Sequence, residues 1–188
     1  MILVGGPNGS GKSTFIREFL TRREIQYLCA DEVAFELGPH APETVAGKAG
    51  RIFLQRVEAA REAGTDIIVE STLSGKTFRR TVQKFRDEGY SIQMIFVTPL
   101  DVEENVRRVD IRVEKGGHSV PEQDIRRRFQ RAHQNFWELY RPLADHWHVY
   151  VNLDRAVPAK FARGKAKRFV VKNSEVFDKF CKIVYISN

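Results

Sequence analysis

The chain has 188 residues, 31 Lys and Arg against 24 Asp and Glu, and a formal charge of +7. With 42% hydrophobic and 29% charged residues, it is neither disordered nor collagen-like, and a chain of this length buries about 70% of its unfolded surface without a metal or disulfide staple. No apolar run approaches the ~20 residues that span a bilayer, and the MILVGG start is too short for a signal peptide. Two cysteines, Cys29 and Cys181, argue against a disulfide framework or a cysteine zinc site and suit a reducing cytosol. The expectation is one cytoplasmic domain over residues 1–188 with no membrane contact and with anionic partners: nucleotides, phosphorylated sugars or nucleic acid.

In chain order, residues 1–4 read as a strand and 12–22 as a helix with Phe15, Ile16, Phe19 and Leu20 on one face. A short strand is expected at 27–30, then a long helix at 43–63 ended by Gly64. The run DIIVE (66–70) is a third strand, 76–88 a helix closed by Gly89, and 91–98 a fourth strand. A helix over 102–115 breaks at Gly116-Gly117, and Pro121 starts another that runs to about Tyr140. Residues 147–152 are a fifth strand, followed by a basic appendage over about 153–188 with a hairpin-like segment and a last helix near 175–181. The alternation predicts an α/β fold with a parallel five-stranded core sheet and helices on both faces. Ligands bind such sheets beyond the carboxyl ends of the strands. The polar residues there are Gly5–Ser13, Asp31, Glu70–Ser74 and Asn152–Asp154.

Gly6, Pro7, Asn8, Gly9, Ser10, Gly11, Lys12 and Ser13 match G-x-x-x-x-G-K-S/T between a strand and a helix, with Thr14 next. Glycines let the backbone close a ring of N–H donors around a β-phosphate, and the positive helix end adds to that field. Lys12 reaches the β/γ-phosphates and the Ser13 hydroxyl ligates Mg²⁺, so ATP and Mg²⁺ are the expected cofactors. Asp31, past the second strand, is placed to accept the proton of a substrate hydroxyl; a helix N-cap is its alternative role. Glu70 ends DIIVE where a Walker-B-type acid belongs; it holds Mg²⁺ through water or binds substrate hydroxyls, or is simply solvated. Thr72 and Ser74 suit a polar substrate, and equally a helix cap.

Residues 107–131 carry eight Lys and Arg against four acids around the Gly116-Gly117 break, which suits a helical lid with arginine donors for the γ-phosphate. The alternative is a solvated face paired with its own acids. His118 in the hinge is a candidate phosphate donor. His133, His146 and His148 lack metal spacing and read as structural or surface residues. Residues 155–172 hold seven Lys and Arg and no acid. They read as a solvated hairpin, with a nucleic-acid or nucleotide-flanking patch as the alternative.

The ordered set GPNGSGKST (6–14), CADEVA (29–34), IIVESTLSG (67–75), RVDIRVEKGGHSVP (108–121) and IRRRF (125–129) resembles the zeta toxin family of P-loop kinases, over roughly residues 1–152. The resemblance implies a nucleotide-kinase-like P-loop NTPase fold and ATP–Mg²⁺-dependent phosphorylation of a nucleotide sugar such as UDP-N-acetylglucosamine. Lys12 and Ser13 are then the Walker residues, Asp31 the general base, Glu70 the second acid at the substrate pocket, and Arg112 a contact of the transferred phosphate. Where larger family members carry a second phosphate-binding arginine, this chain has His118; Arg126, Arg127 or Arg128 stands in from the next helix. An antitoxin is a partner raised by the family association alone. The alternatives are a kinase of another small metabolite or nucleoside, and a slow ATP-hydrolysing switch that associates with nucleic acid.

Overall fold

The computed structural model describes residues 1–19, 25–117, 119–153 and 157–185. Strand β1 (Ile2–Gly5) leads through the glycine-rich loop into α1 (Lys12–Phe19), β2 (Gln26–Cys29) and α2 (Ala30–Leu37). A 3-10 turn (Pro42–Val45), α3 (Ala46–Glu62), β3 (Ile67–Ser71), α4 (Phe78–Asp87) and β4 (Gln93–Thr98) follow. Then come α5 (Val102–Glu114) and α6 (Glu122–Asn135), which runs on into a π turn (Phe136–Tyr140) and a 3-10 turn (Arg141–Leu143). The chain closes with β5 (His146–Val151), β6 (Ala159–Lys165), β7 (Arg168–Val171) and α7 (Ser174–Val184).

The strands form one sheet in the order β2-β3-β1-β4-β5-β6-β7. The first five in that order are parallel, and β6 and β7 extend β5 antiparallel. The sheet therefore has seven strands where five were expected. The hairpin closes the open edge that β5 would otherwise present, and it is anchored because Phe161 and Ala162 are buried in the main core. Residues expected as an appendage thus supply Phe161, Ala162, Phe180 and Val184 to that core.

The two faces of the sheet are covered unequally. Leu3, Val69, Phe96, Trp147 and Val149 point to the larger side, into one cluster with Phe53 and Val57 of α3, Val82 and Phe85 of α4, Ala132 of α6 and Phe180 of α7. Val4, Ile68, Ile95 and Val97 point the other way, onto Phe15 and Ile16 of α1. The period-2 alternation of each strand sorts them. The helix α2 was not expected. Only Val33 and Ala34 are buried on it, too few to show a 3.6-residue stripe. Asp31 and Glu32 in its first turn meet the positive end of the helix. Among the described residues no helix is long and apolar enough to cross a membrane.

His133 on α6 is fully buried. Its Nδ1 donates to the Phe129 carbonyl at 2.7 Å, which leaves Nε2 to accept from the Thr98 hydroxyl at 2.9 Å. This pair ties α6 to the carboxyl end of β4, beside the loop. Burial pushes the imidazole down from 6.5 to about 4. The unfolded chain takes up a proton on this side chain below pH 6.5 and the folded chain does not until about pH 4, so stability is lost as pH falls through that window. The shift corresponds to about 3 kcal/mol. The urea midpoint is expected to drop between pH 6.5 and pH 4, less steeply in His133→Gln; identical slopes in the two proteins would refute this origin.

Candidate active site

Gly9 and Gly11 take φ of +74° and +91°, conformations that side-chain-bearing residues rarely adopt. A Cβ on Gly9 would sit 2.7 Å from the Asn105 carbonyl oxygen, and one on Gly11 would strike the Asn152 side chain. The outward carbonyls of the loop are each engaged. Lys12 Nζ donates to Pro7 O at 3.0 Å, Asn105 Nδ2 donates to Asn8 O, Asn152 Nδ2 donates to Ser10 O at 2.9 Å, and Phe15 N donates to Gly11 O at 2.9 Å. With these four carbonyls engaged, the other N–H groups of the loop are left to grip a phosphate. Ser10 Oγ is buried and has no hydrogen-bond partner among the described residues. This orphaned atom and the glycine-lined cradle fit a bound triphosphate.

Beneath the loop lies a compact group of charges. Register pairs Glu70 with Val4 on one side and with Cys29 on the other. Its Oε1 accepts from the Ser13 hydroxyl at 3.0 Å and lies 3.8 Å from Lys12 Nζ. Its Oε2 accepts from the Tyr27 hydroxyl at 2.6 Å. Burial, then the Glu70 charge, pushes the Tyr27 phenol far up, and the same two causes push the Cys29 thiol to about 11. The Ser13 hydroxyl and the Glu70 carboxylate are hard oxygen donors within reach of one another, a set that fits Mg²⁺ completed by water and phosphate.

A cleft of about 780 Å³ opens above, lined by Lys12, Ser13, Thr14, Asp31, Glu70, Arg108, Arg112 and Asn152 among others. Asp31 is exposed in the first turn of α2. It also lines two side cavities. One, of about 300 Å³, includes Phe35, His40, Glu43 and Arg112; the other, of about 310 Å³, includes Glu43, Ser119, Asp124 and Arg128. The cleft and both side cavities thus share the Asp31 carboxylate.

The structure brings Asn8, Gly9, Gly11, Lys12, Ser13, Thr14, Asp31, Glu70 and Arg112 to one cleft. It does not bring all the expected residues there. Thr72 and Ser74 bond each other at 2.9 Å, and Ser74 opens onto a separate depression with Arg131 and Asn135. Arg127 is exposed and paired with Asp124 at 2.7 Å, and Arg126 is held by Glu103 and Glu122. Arg128 is the one of the three that reaches inward, with Nη1 3.5 Å from Asn8 Oδ1. His118 lies outside the described residues. Three participants were not assigned from sequence: Asn105, Tyr27 and Arg108. Asn105, Arg108, Val109 and Arg112 share one stripe of α5, and a buried Asn at an apolar position of that stripe was the available signal. Arg108 joins the stripe to β5 by donating to Asn152 O at 3.0 Å.

Among known proteins, an uncharacterized protein of Haemophilus influenzae is 29% identical over 128 residues, covering 68% of this chain and 91% of that protein. The solved structure of AvrRxo1-ORF1:AvrRxo1-ORF2 with sulphate ions superposes with a TM-score of 0.75 at 14% identity, across 100% of this chain and 65% of that one, so the chain spans just under two thirds of that neighbour's length. A structure from the PezAT chromosomal toxin–antitoxin system of Streptococcus pneumoniae gives a TM-score of 0.60 at 18% identity, over 100% of this chain and 78% of that one. At these identities the two structures establish a shared α/β P-loop fold. The model of the family described as Zeta toxin matches residues 1–163, and the chain belongs to that family.

Proposed function

We propose that the protein is an ATP- and Mg²⁺-dependent kinase that transfers the γ-phosphoryl group to a hydroxyl of a small polar molecule. The observation that carries this reading is the presence of Asp31, Lys12, Glu70 and Arg112 on the walls of one cleft. The acceptor oxygen forms its bond to the γ-phosphorus while the bond to the β–γ bridging oxygen breaks, and ADP leaves with that electron pair. Asp31 takes the proton from the acceptor hydroxyl. The loop amides and Lys12 hold the β- and γ-phosphates, while Arg112 and Arg128 face the charge that develops on the transferred group. Ser13 and Glu70 would hold Mg²⁺, which when bound would supply Lewis-acid charge to the phosphate oxygens. Residues 107–131 act as a lid hinged at Gly116-Gly117.

The acceptor is a nucleotide sugar, with UDP-N-acetylglucosamine the first to test. The two side cavities that meet at Asp31 mix apolar walls such as Phe35 and Pro42 with His40, Asp124 and Arg128, which suits a ligand with a ring at one end and phosphates at the other. A solved structure of AvrRxo1-ORF1:-ORF2 is described as containing ATP, which supports ATP as the donor here. The PezAT toxin–antitoxin system supports an antitoxin as a protein partner, and the two free thiols, Cys29 and Cys181, suit a cytoplasmic enzyme.

Phosphate transfer from ATP to UDP-N-acetylglucosamine is expected to fall by about 10²–10⁴-fold in Asp31→Asn while ATP binding persists; undiminished turnover would remove Asp31 as the base. Asn105→Ala removes the brace on Asn8 O, and a buried hydrogen bond of about 1–3 kcal/mol converts to an affinity for ATP about 5–150-fold weaker. Calorimetric titration reads this, and unchanged affinity rules the brace out. Of the three adjacent arginines, Arg128→Ala is expected to lower kcat at least about tenfold, consistent with the loss of one charge-stabilising donor, and Arg127→Ala much less. The reverse order in steady-state kinetics would exchange their assignments.

A further inference from the structure

Of the basic run 155–172, Arg155 lies outside the described residues; residues 157–172 have no part in the cleft chemistry, and the fold gives them a surface. Helix α1 covers its side of the sheet only as far as Tyr150, whose ring centroid lies 4.9 Å from that of Phe15. Beyond that the face of β5, β6 and β7 has no helix over it among the described residues. Register sets His148 beside Arg163 and Arg163 beside Val170, with Lys165 opposite Arg168 one row on. Lys160 lies over the Tyr150 ring at 5.3 Å.

The cations of this face have no acid near them in the sequence, since residues 155–172 contain no Asp or Glu. The arginines of α5 and α6 are matched locally: Arg107 and Arg108 with Glu104, Arg126 with Glu103 and Glu122, Arg127 and Arg128 with Asp124. Lys160, Arg163, Lys165, Arg168 and Lys172 form no ion pair with a carboxylate among the described residues. Lys165 and Arg168 even stand directly across from each other, a like-charged cross-strand pair that weakens a sheet. Folding does not call for that arrangement; an external polyanion does.

A shallow cavity of about 440 Å³ lies among these cations, lined by His146, His148, Arg163, Lys165, Arg168 and Val170 with adjacent backbone. Val170 is 59% exposed. His148 stays neutral at pH 7, held down at about 4 by burial and by the surrounding Lys160, His146, Arg163 and Lys172. Its Nδ1 is enclosed without a hydrogen-bond partner among the described residues. Imidazole and guanidinium planes over an apolar floor stack unpaired bases, while the rim cations take phosphates. At about 3.4 Å per residue and 4.8 Å between strands, the face measures roughly 17 by 10 Å, enough for a few nucleotides of one strand. We infer that the outer face of β5–β7 binds single-stranded nucleic acid, at a site separate from the ATP cleft.

The test is fluorescence anisotropy of the full chain with fluorescein-labelled octauridylate, without ATP. Binding is expected to weaken with salt, and Arg163→Glu/Arg168→Glu is expected to weaken it at least tenfold. That double variant should also flatten the log–log salt slope by about 1.4, at about 0.7 for each phosphate no longer neutralised. Lys48→Glu/Arg51→Glu alters net charge equally on α3 and is expected to bind as the parent; an equal loss there would reduce the effect to bulk charge and overturn the site. His148→Ala removes a stacking ring and is expected to weaken octauridylate binding at least about fivefold; unchanged affinity overturns the stacking. Duplex RNA or polyglutamate binding the parent as tightly as octauridylate overturns the assignment. Asp31→Asn is expected to bind octauridylate as the parent does, so failure of the kinase reading and failure of this one are distinguishable.

Discussion

A loop that grips an anion with its main chain must keep its own carbonyl oxygens away from that anion, and this requirement organises the whole site. Each carbonyl that turns outward needs a donor behind it, because a buried unsatisfied acceptor costs about 1–3 kcal/mol. Here the donors come from three places: the Lys12 side chain on Pro7, Asn105 of α5 on Asn8, and Asn152 past β5 on Ser10. The loop conformation is therefore shared property of α1, α5 and the end of β5. Because Arg108 of α5 also bonds the Asn152 carbonyl, the helix that begins the expected lid and the strand end behind the phosphates are joined to each other as well as to the loop.

The acid under the loop answers to the same logic. Lys12 and Glu70 are each only 7% exposed at the side chain, and a buried ion pair is a poor source of stability, since desolvation offsets the attraction. What such a pair offers is prearranged charge. Tyr27 and Ser13 fill the remaining acceptor positions of Glu70, so the carboxylate stays fixed whether or not a cation is near. The Ser13 hydroxyl and the Lys12 ammonium, both needed for phosphate chemistry in the proposed reaction, meet on its single Oε1.

The parts of this fold written in short, strict patterns were legible in the sequence: the phosphate loop, the apolar strands and the acid at the end of β3. Parts that depend on long-range contacts were not. Helix α2 buries only two side chains, so its period is invisible in isolation. The hairpin looked like an appendage because its basic residues outnumber Phe161 and Ala162, the two that fasten it to the core. Asn105 was missed because a polar residue on a helix reads as solvent-facing until the loop is folded against it. Thr72 and Ser74 failed in the opposite sense: hydroxyls just past a strand read as ligands, and in the fold they bond each other.

Strand β7 forms the outer border of the sheet, and borders of this kind recruit strands from other molecules. It has only four residues, with Val170 and Phe169 well exposed. Arg168 opens it and Lys172 follows it. Two such chains approaching edge to edge would bring matching positive charges together before any ladder could form. The same side chains that leave this region electrostatically unbalanced in the isolated molecule thereby guard it against self-association into fibrils.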